Sequence, residues 1–105
     1  MIPSKPHKAD LTLDGKCLRL SGIIDKHNVP DLYIKSQQID AEKHVNEVCL
    51  DSVEHIDSAG LALLLEWRSW SKTAGKTLKL SNAPKQLRML AHLSQLEETL
   101  GLDNI

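Results

Sequence analysis

Val48-Cys49-Leu50-Asp51-Ser52-Val53-Glu54-His55-Ile56-Asp57-Ser58-Ala59-Gly60-Leu61-Ala62-Leu63-Leu64-Leu65 is the stretch from which the fold is read. It begins as an apolar run of strand length, with Val48 and Leu50 directed inward over a strand spanning 47–51. It then passes through a polar segment and becomes a long apolar one. Asp57 and Ser58 stand where a helix must start, and both residue types cap helices well because their oxygens accept orphan backbone N–H bonds. A strand that feeds a loop ending on a helix N-terminus is a common way to present a functional group. The loop and the first turns behind it are therefore the expected meeting point with a partner.

The helix behind the loop spans 58–74, and Gly75 supplies a left-handed stop. Arg68 and Lys72 fall toward its C-terminal end, where positive charge suits the helix dipole. Leu61, Leu63, Leu64 and Leu65 cannot all face one sheet, and Trp67 and Trp70 continue the excess. A helix apolar on more than one side is buried on more than one side, or it presents a surface to a partner. Leu61 and Trp67 are taken as outward positions on the second reading.

Upstream, residues 1–7 carry two prolines and read as a loose leader. Ala9 to Leu20 alternates around Asp14-Gly15, a strong hairpin signal. A two-residue turn there sets Leu11 opposite Leu18 and Ala9 opposite Leu20, and pairs Asp10 with Arg19 on the polar face. Asn28 is placed to cap a helix from Val29 to about Lys43, with Pro30 tolerated in its first turn. Val29, Leu32, Ser36 and Ile39 mark its inner side. Downstream, Thr77 to Ser81 alternates as a strand with Leu78 and Leu80 inward. A third helix begins near Pro84 with Leu87, Leu90, Leu93 and Leu96 as its stripe, and a short turn around Leu100 closes at Gly101. The order β-β-α-β-α-β-α gives an α/β, two-layer sandwich. Its four-stranded mixed sheet has an antiparallel hairpin at one edge and helices on the Leu-bearing face, because strand–helix–strand crossovers make the flanking strands parallel.

Composition excludes several functions. The chain has 105 residues, a size for one domain, with net charge −1, 3% aromatic residues and no Phe. Neither the basic footprint nor the stacking platform of a nucleic-acid binder is present. No apolar run spans a bilayer and residues 1–6 lack a signal-peptide core, which points to the cytoplasm. Cys17 and Cys49 then read as reduced thiols filling space. His7, His27, His44, His55 and His92 show no metal-binding spacing, and phosphate-loop and dinucleotide fingerprints are missing. Ser58, His55 and Asp57 include the residue types of a hydrolytic triad. Gly-x-Ser-x-Gly is absent, and neighbours in sequence do not build that geometry. No enzyme activity, metal or cofactor is expected. Ser58 is read first as a helix cap, second as a phospho-acceptor or partner contact.

Asp51-Ser52-Val53-Glu54-His55-Ile56-Asp57-Ser58-Ala59-Gly60-Leu61 resembles the loop-to-helix motif of STAS domains, the family of the anti-sigma-factor antagonists. The resemblance extends to Leu20-Ser21-Gly22-Ile23-Ile24-Asp25 and to Leu78-Lys79-Leu80 with the helix after it, so that 1–105 reads as a single STAS domain. Ala59 to Leu65 after Asp57-Ser58 is most similar to the MlaB-type subgroup, the small stand-alone STAS subunits of a lipid-asymmetry ABC transporter. That likeness implies a non-catalytic cytoplasmic subunit that binds the transporter's ATPase and is peripheral to an inner-membrane complex, without inserting into the membrane itself. The position of Ser58 is usually Thr in that subgroup. In the antagonists the matching serine is phosphorylated by a kinase that is also the anti-sigma factor, which is the alternative partner. The residues expected at the partner or regulatory surface are Asp57, Ser58, Ala59, Gly60, Leu61, Leu64 and Trp67.

Overall fold

The computed structural model describes residues 9–40 and 45–102. The expected leader at 1–7 and the expected end of the first helix at 41–43 lie outside the described residues. Four strands, β1 (Ala9–Asp14), β2 (Cys17–Ile24), β3 (Glu47–Ile56) and β4 (Lys79–Ser81), form one sheet in the order β1-β2-β3-β4. β1 and β2 are antiparallel, while β2–β3 and β3–β4 are parallel. Helices α1 (Val29–Asp40), α2 (Ser58–Thr73), α3 (Lys85–Leu93) and α4 (Glu97–Leu100) supply the second layer. The expected mixed-sheet α/β sandwich is the fold observed.

The hairpin turns one residue later than its sequence suggests. Leu11 pairs with Leu20, Leu13 with Leu18 and Asp14 with Cys17, so Gly15 and Lys16 form the turn. Gly15, at the first central position, carries the positive φ (+65°), which glycine adopts without a Cβ penalty. The pairing shifts by two residues relative to the expected one. Side chains alternate with a period of two, so the same residues still face the core. The polar pairing does change. Asp10 lies opposite Ser21 and bonds Lys35 Nζ on α1 at 3.0 Å, whereas Arg19 reaches Asp51 on β3 at 2.7 Å.

β3 is twice its expected length because it runs on through the polar segment to Ile56. Between Arg19 and Ser21, and again between Gly22 and Ile23, β3 carries one more residue than β2 opposite it. Each such bulge resets the inward–outward alternation, so residues 51–55 show no strand period although they pair as a strand. Only Glu47, Val48 and Cys49 pair with β4. Beyond them the β4 side of β3 is an open edge, which accounts for its polar composition.

The sheet's Leu-bearing face, with Leu11, Leu18, Leu20, Ile24, Val48, Leu50 and Leu80 buried, forms one core with Leu32, Leu64, Leu87, Ala91 and Leu100 of the helices. α1 shows the predicted inner side, with Leu32 and Ser36 buried and Val29 and Ile39 packed against the core. Asn28 occupies the position before α1 and its carbonyl accepts the Leu32 amide. Its side chain, however, donates to the Ile23 carbonyl (2.7 Å) rather than capping the helix. Leu93, expected in the stripe of α3, is 78% exposed; Ala91 takes the inward place beside Leu87 and Leu90. The turn at Leu100 forms as predicted, and Gly101 closes it at φ +73° against the Arg68 guanidinium. Arg68 donates to the Leu78 carbonyl at 2.6 Å, thereby tying α2 to the approach to β4.

Candidate functional site

The candidate site is the tip where β3 hands over to α2. Asp57 is fixed in an extended conformation (φ −115°, ψ −166°) by hydrogen bonds on every side. Its amide donates to the Ile24 carbonyl (3.2 Å) and its carbonyl accepts from Leu61 N (3.0 Å). Its Oδ1 accepts from Ala59 N (2.9 Å) and Gly60 N (3.2 Å). Asp57 is thus the N-cap, and a carboxylate there also meets the positive end of the helix dipole.

Ser58 is consequently not the cap, contrary to its first reading. It is the first residue of α2 and is solvent-exposed, and its Oγ makes no hydrogen bond within the described residues. Ala59 is half-buried and Gly60 buried. A Cβ on Gly60 would lie 2.5 Å from Ile56 Cγ1 and 3.0 Å from Ile24 Cγ2. The glycine lets the first turn of α2 rest directly on the ends of β2 and β3. The motif therefore divides its work: Asp57 caps, Gly60 seats the turn, and Ser58 faces outward.

Leu61, Leu64 and Trp67 do not form an outward surface. They are 6%, 0% and 4% exposed. The apolar excess of α2 is absorbed within the fold, because the helix packs on the sheet with α1 on one flank and α3 and α4 on another. Trp67 Nε1 donates to Ser36 Oγ of α1 at 2.8 Å, and that hydroxyl donates in turn to the Tyr33 carbonyl at 2.7 Å. The outward stripe of α2 is instead Ser58, Ala62, Glu66, Ser69 and Thr73, all exposed.

Two further elements border the tip and were not singled out from the sequence. In the loop after β2, buried Asp25 accepts from the amides of His27 (3.0 Å) and Asn28 (3.3 Å), leaving Lys26 and His27 exposed. An Asp followed by polar residues before a helix is an Asx-turn signal that marks this loop. Since Ile24 pairs with Ile56, the two loops leave the sheet side by side. The second element is α3, whose Gln86 Oε1 accepts from the Ile56 amide (2.9 Å) on the open edge of β3. One and two turns further along α3, Met89 and Leu93 are exposed.

Asp57 Oδ1 accepts from the helix amides, and His55 is exposed on β3. On the polar sheet face, Asp51 accepts from Cys49 Sγ (3.0 Å) and from Arg19. The Cys49 bond and, to a lesser degree, the guanidinium hold its carboxyl below the ordinary value. Burial, reinforced by Glu47, pushes the Cys17 thiol up. Cys17 and Cys49 are both free thiols. Among the described residues no cluster of three metal-ligating side chains forms, and no helix is long and apolar enough to cross a membrane.

An antiparallel hairpin leading into parallel strands, with a capped helix tip beside it, defines the chain as a STAS-type domain. The family model of the Mlab STAS domain matches residues 7–102, and the chain belongs to that family. STAS domains work by binding partner proteins. No curated protein matches the sequence. Among solved structures, the unphosphorylated anti-sigma factor antagonist SpoIIAA superposes with a TM-score of 0.66 at 18% identity, over 87% of this chain and 84% of that one. The phosphorylated form of SpoIIAA, described as a Bacillus cell fate determinant, gives 0.62 at 16% identity, over 87% and 86%. At that identity the likeness concerns the fold.

Proposed function

We propose that this chain is a non-catalytic adaptor that binds the ATPase subunit of an ABC phospholipid transporter through the tip of α2. The family match supports the partner class. The observation that carries the reading is the exposed Ser58 hydroxyl, relieved of capping by Asp57 and held on a rigid turn. Direct contacts come from Asp57, Ser58 and Ala59, widened by Met89 and Leu93 of α3. Gly60, Leu61, Leu64 and Trp67 hold the turn in place from beneath. Phospholipid moves through the partner complex, which keeps the chain in the cytoplasm at a membrane assembly and in need of no cofactor.

Purification of a tagged chain co-expressed with the ATPase tests this reading. Ser58→Arg and Leu93→Glu are expected to abolish co-purification while leaving the unfolding temperature unchanged. Retention of the ATPase by both folded variants would exclude this surface.

A second reading, a phospho-switched antagonist of an anti-sigma factor, is favoured by one observation: residue 58 is a serine with an accessible hydroxyl. Phosphate there would add about −1.5 to −2 charge at the positive end of α2. A kinase-type anti-sigma factor with ATP should then add one phosphate to the wild type and none to Ser58→Ala. An unchanged mass would remove this reading.

A further inference from the structure

On the sheet face turned away from the core, Cys17 of β2 and Cys49 of β3 are diagonal neighbours, since Cys17 pairs with Glu47 and Cys49 with Arg19. Their thiols hydrogen-bond each other. Cys49 is buried, while Cys17 is half-buried and opens the pair to solvent. Cys49 Sγ also donates to Asp51 Oδ1 (3.0 Å) and accepts from Asn82 Nδ2 (3.8 Å). Asn82 reaches it from a left-handed conformation, φ +58°, just past the end of β4. Arg19, bound to Asp51 at 2.7 Å, places a guanidinium alongside. The pair lies near the start of β3, at the opposite end of that strand from the tip at Ser58.

We propose that Cys17 and Cys49 together bind one Cu(I) ion as a bis-thiolate. The strand spacing disfavours a disulfide. Adjacent strands lie about 4.8 Å apart and two residues rise about 6.6 Å, so ideal diagonal partners have Cα atoms about 8 Å apart. A disulfide takes about 4.4–6.8 Å. A metal bridge inserts two bonds of about 2.3 Å where the disulfide has one of about 2.05 Å, which suits the wider spacing. Thiolate sulfur is a soft ligand that selects Cu(I), a closed-shell ion that two ligands satisfy. Structural Zn²⁺ takes four, and among the described residues no cluster of three ligating side chains forms. Binding makes two S–Cu bonds and releases both thiol protons, since a coordinated thiol is deprotonated outright; no electron is transferred. Glu47 and Asp51 flank Cys49 on the same face and favour a cation over an anion, while Arg19 and Asn82 offset the thiolates once formed.

Cu(I) competition under anaerobic, reducing conditions tests the site. The full chain should withdraw one equivalent of Cu(I) from bicinchoninate, with a thiolate-to-copper absorption band in the ultraviolet and a raised unfolding temperature. Cys17→Ser, at the more open position, and Cys49→Ser should each withdraw none at the same competitor concentration, their folding checked by a cooperative unfolding transition. A wild-type chain that withdraws no copper overturns the proposal. So does equal uptake by folded Cys17→Ser, the mark of single-thiol binding. Complete disulfide closure by diamide in the folded chain would also overturn it, because the strands would then be close enough for a direct S–S bond.

Discussion

Replacing Gly60 by alanine sets two effects of known sign against each other. Alanine is favoured over glycine within a helix by about 1 kcal/mol, so an unobstructed site would gain stability. Here the new Cβ would lie 2.5 Å from Ile56 Cγ1, 2.9 Å from Ile56 Cδ1 and 3.0 Å from Ile24 Cγ2. Carbon atoms prefer about 3.5–4.0 Å, so roughly 1 Å must be opened between α2 and β3. Neither isoleucine yields readily. Both are fully buried, and Cγ1 and Cγ2 branch from the Cβ itself, so they move only with χ1 or with the backbone. Overpacking of this kind costs about 1–3 kcal/mol. Against the propensity gain, the expected outcome is a net loss of about 1 kcal/mol, with Tm lower by about 4–8 °C for a domain of this size. Denaturant titration and thermal unfolding measure it, alongside Ile56→Val and the double variant. The double variant should be more stable than the sum of the single effects, because removing Cδ1 relieves part of the clash. A Gly60→Ala protein at least as stable as wild type, or strict additivity, would refute the close approach of helix to strand.

The assignment of the cap predicts that Asp57→Ala loses about 1 kcal/mol, whereas Ser58→Ala stays within about 0.5 kcal/mol of wild type; chemical denaturation separates them, and the reverse order would return the cap to Ser58. Ser36→Ala should destabilise by about 1–3 kcal/mol, because it strands the buried Trp67 indole N–H, and the loss should exceed that of Ser69→Ala on the exposed face of α2. Asp51 has its folded-state pKa lowered by Cys49 and Arg19, so its contribution is present above the unfolded-state pKa and fades as pH falls through the folded one. Urea midpoints of wild type and Asp51→Asn should therefore differ at neutral pH and converge in acid, and a gap that widens in acid would contradict the sign.

The sequence was most legible where its period was clean. The hairpin's core face survived a shift of the turn, because moving the register by two residues leaves every side chain on its own side. Helix α2 was legible from its leucines and from Gly75, whose φ of +78° supplies the stop. Residues 52–56 do not read as strand from the sequence, since two bulges erase the alternation by which strands are recognised. At the site, Asp57 and Ser58 are equally good caps by residue type, and only the bonds that Asp57 Oδ1 accepts from the amides of Ala59 and Gly60 separate them. The surplus of apolar residues on α2 had two physical outlets, its own neighbours or a partner. The choice rested on long-range packing by α1, α3 and α4 that no local pattern encodes.

The separation of duties at the β3–α2 junction bears on how such a domain can change its clientele. The side chain of residue 58 contributes no hydrogen bond to the described structure, so threonine, alanine or a modified serine can stand there without disturbing the scaffold. Recognition can then be rewritten at this one side chain, while Gly60 beneath it remains answerable to folding alone.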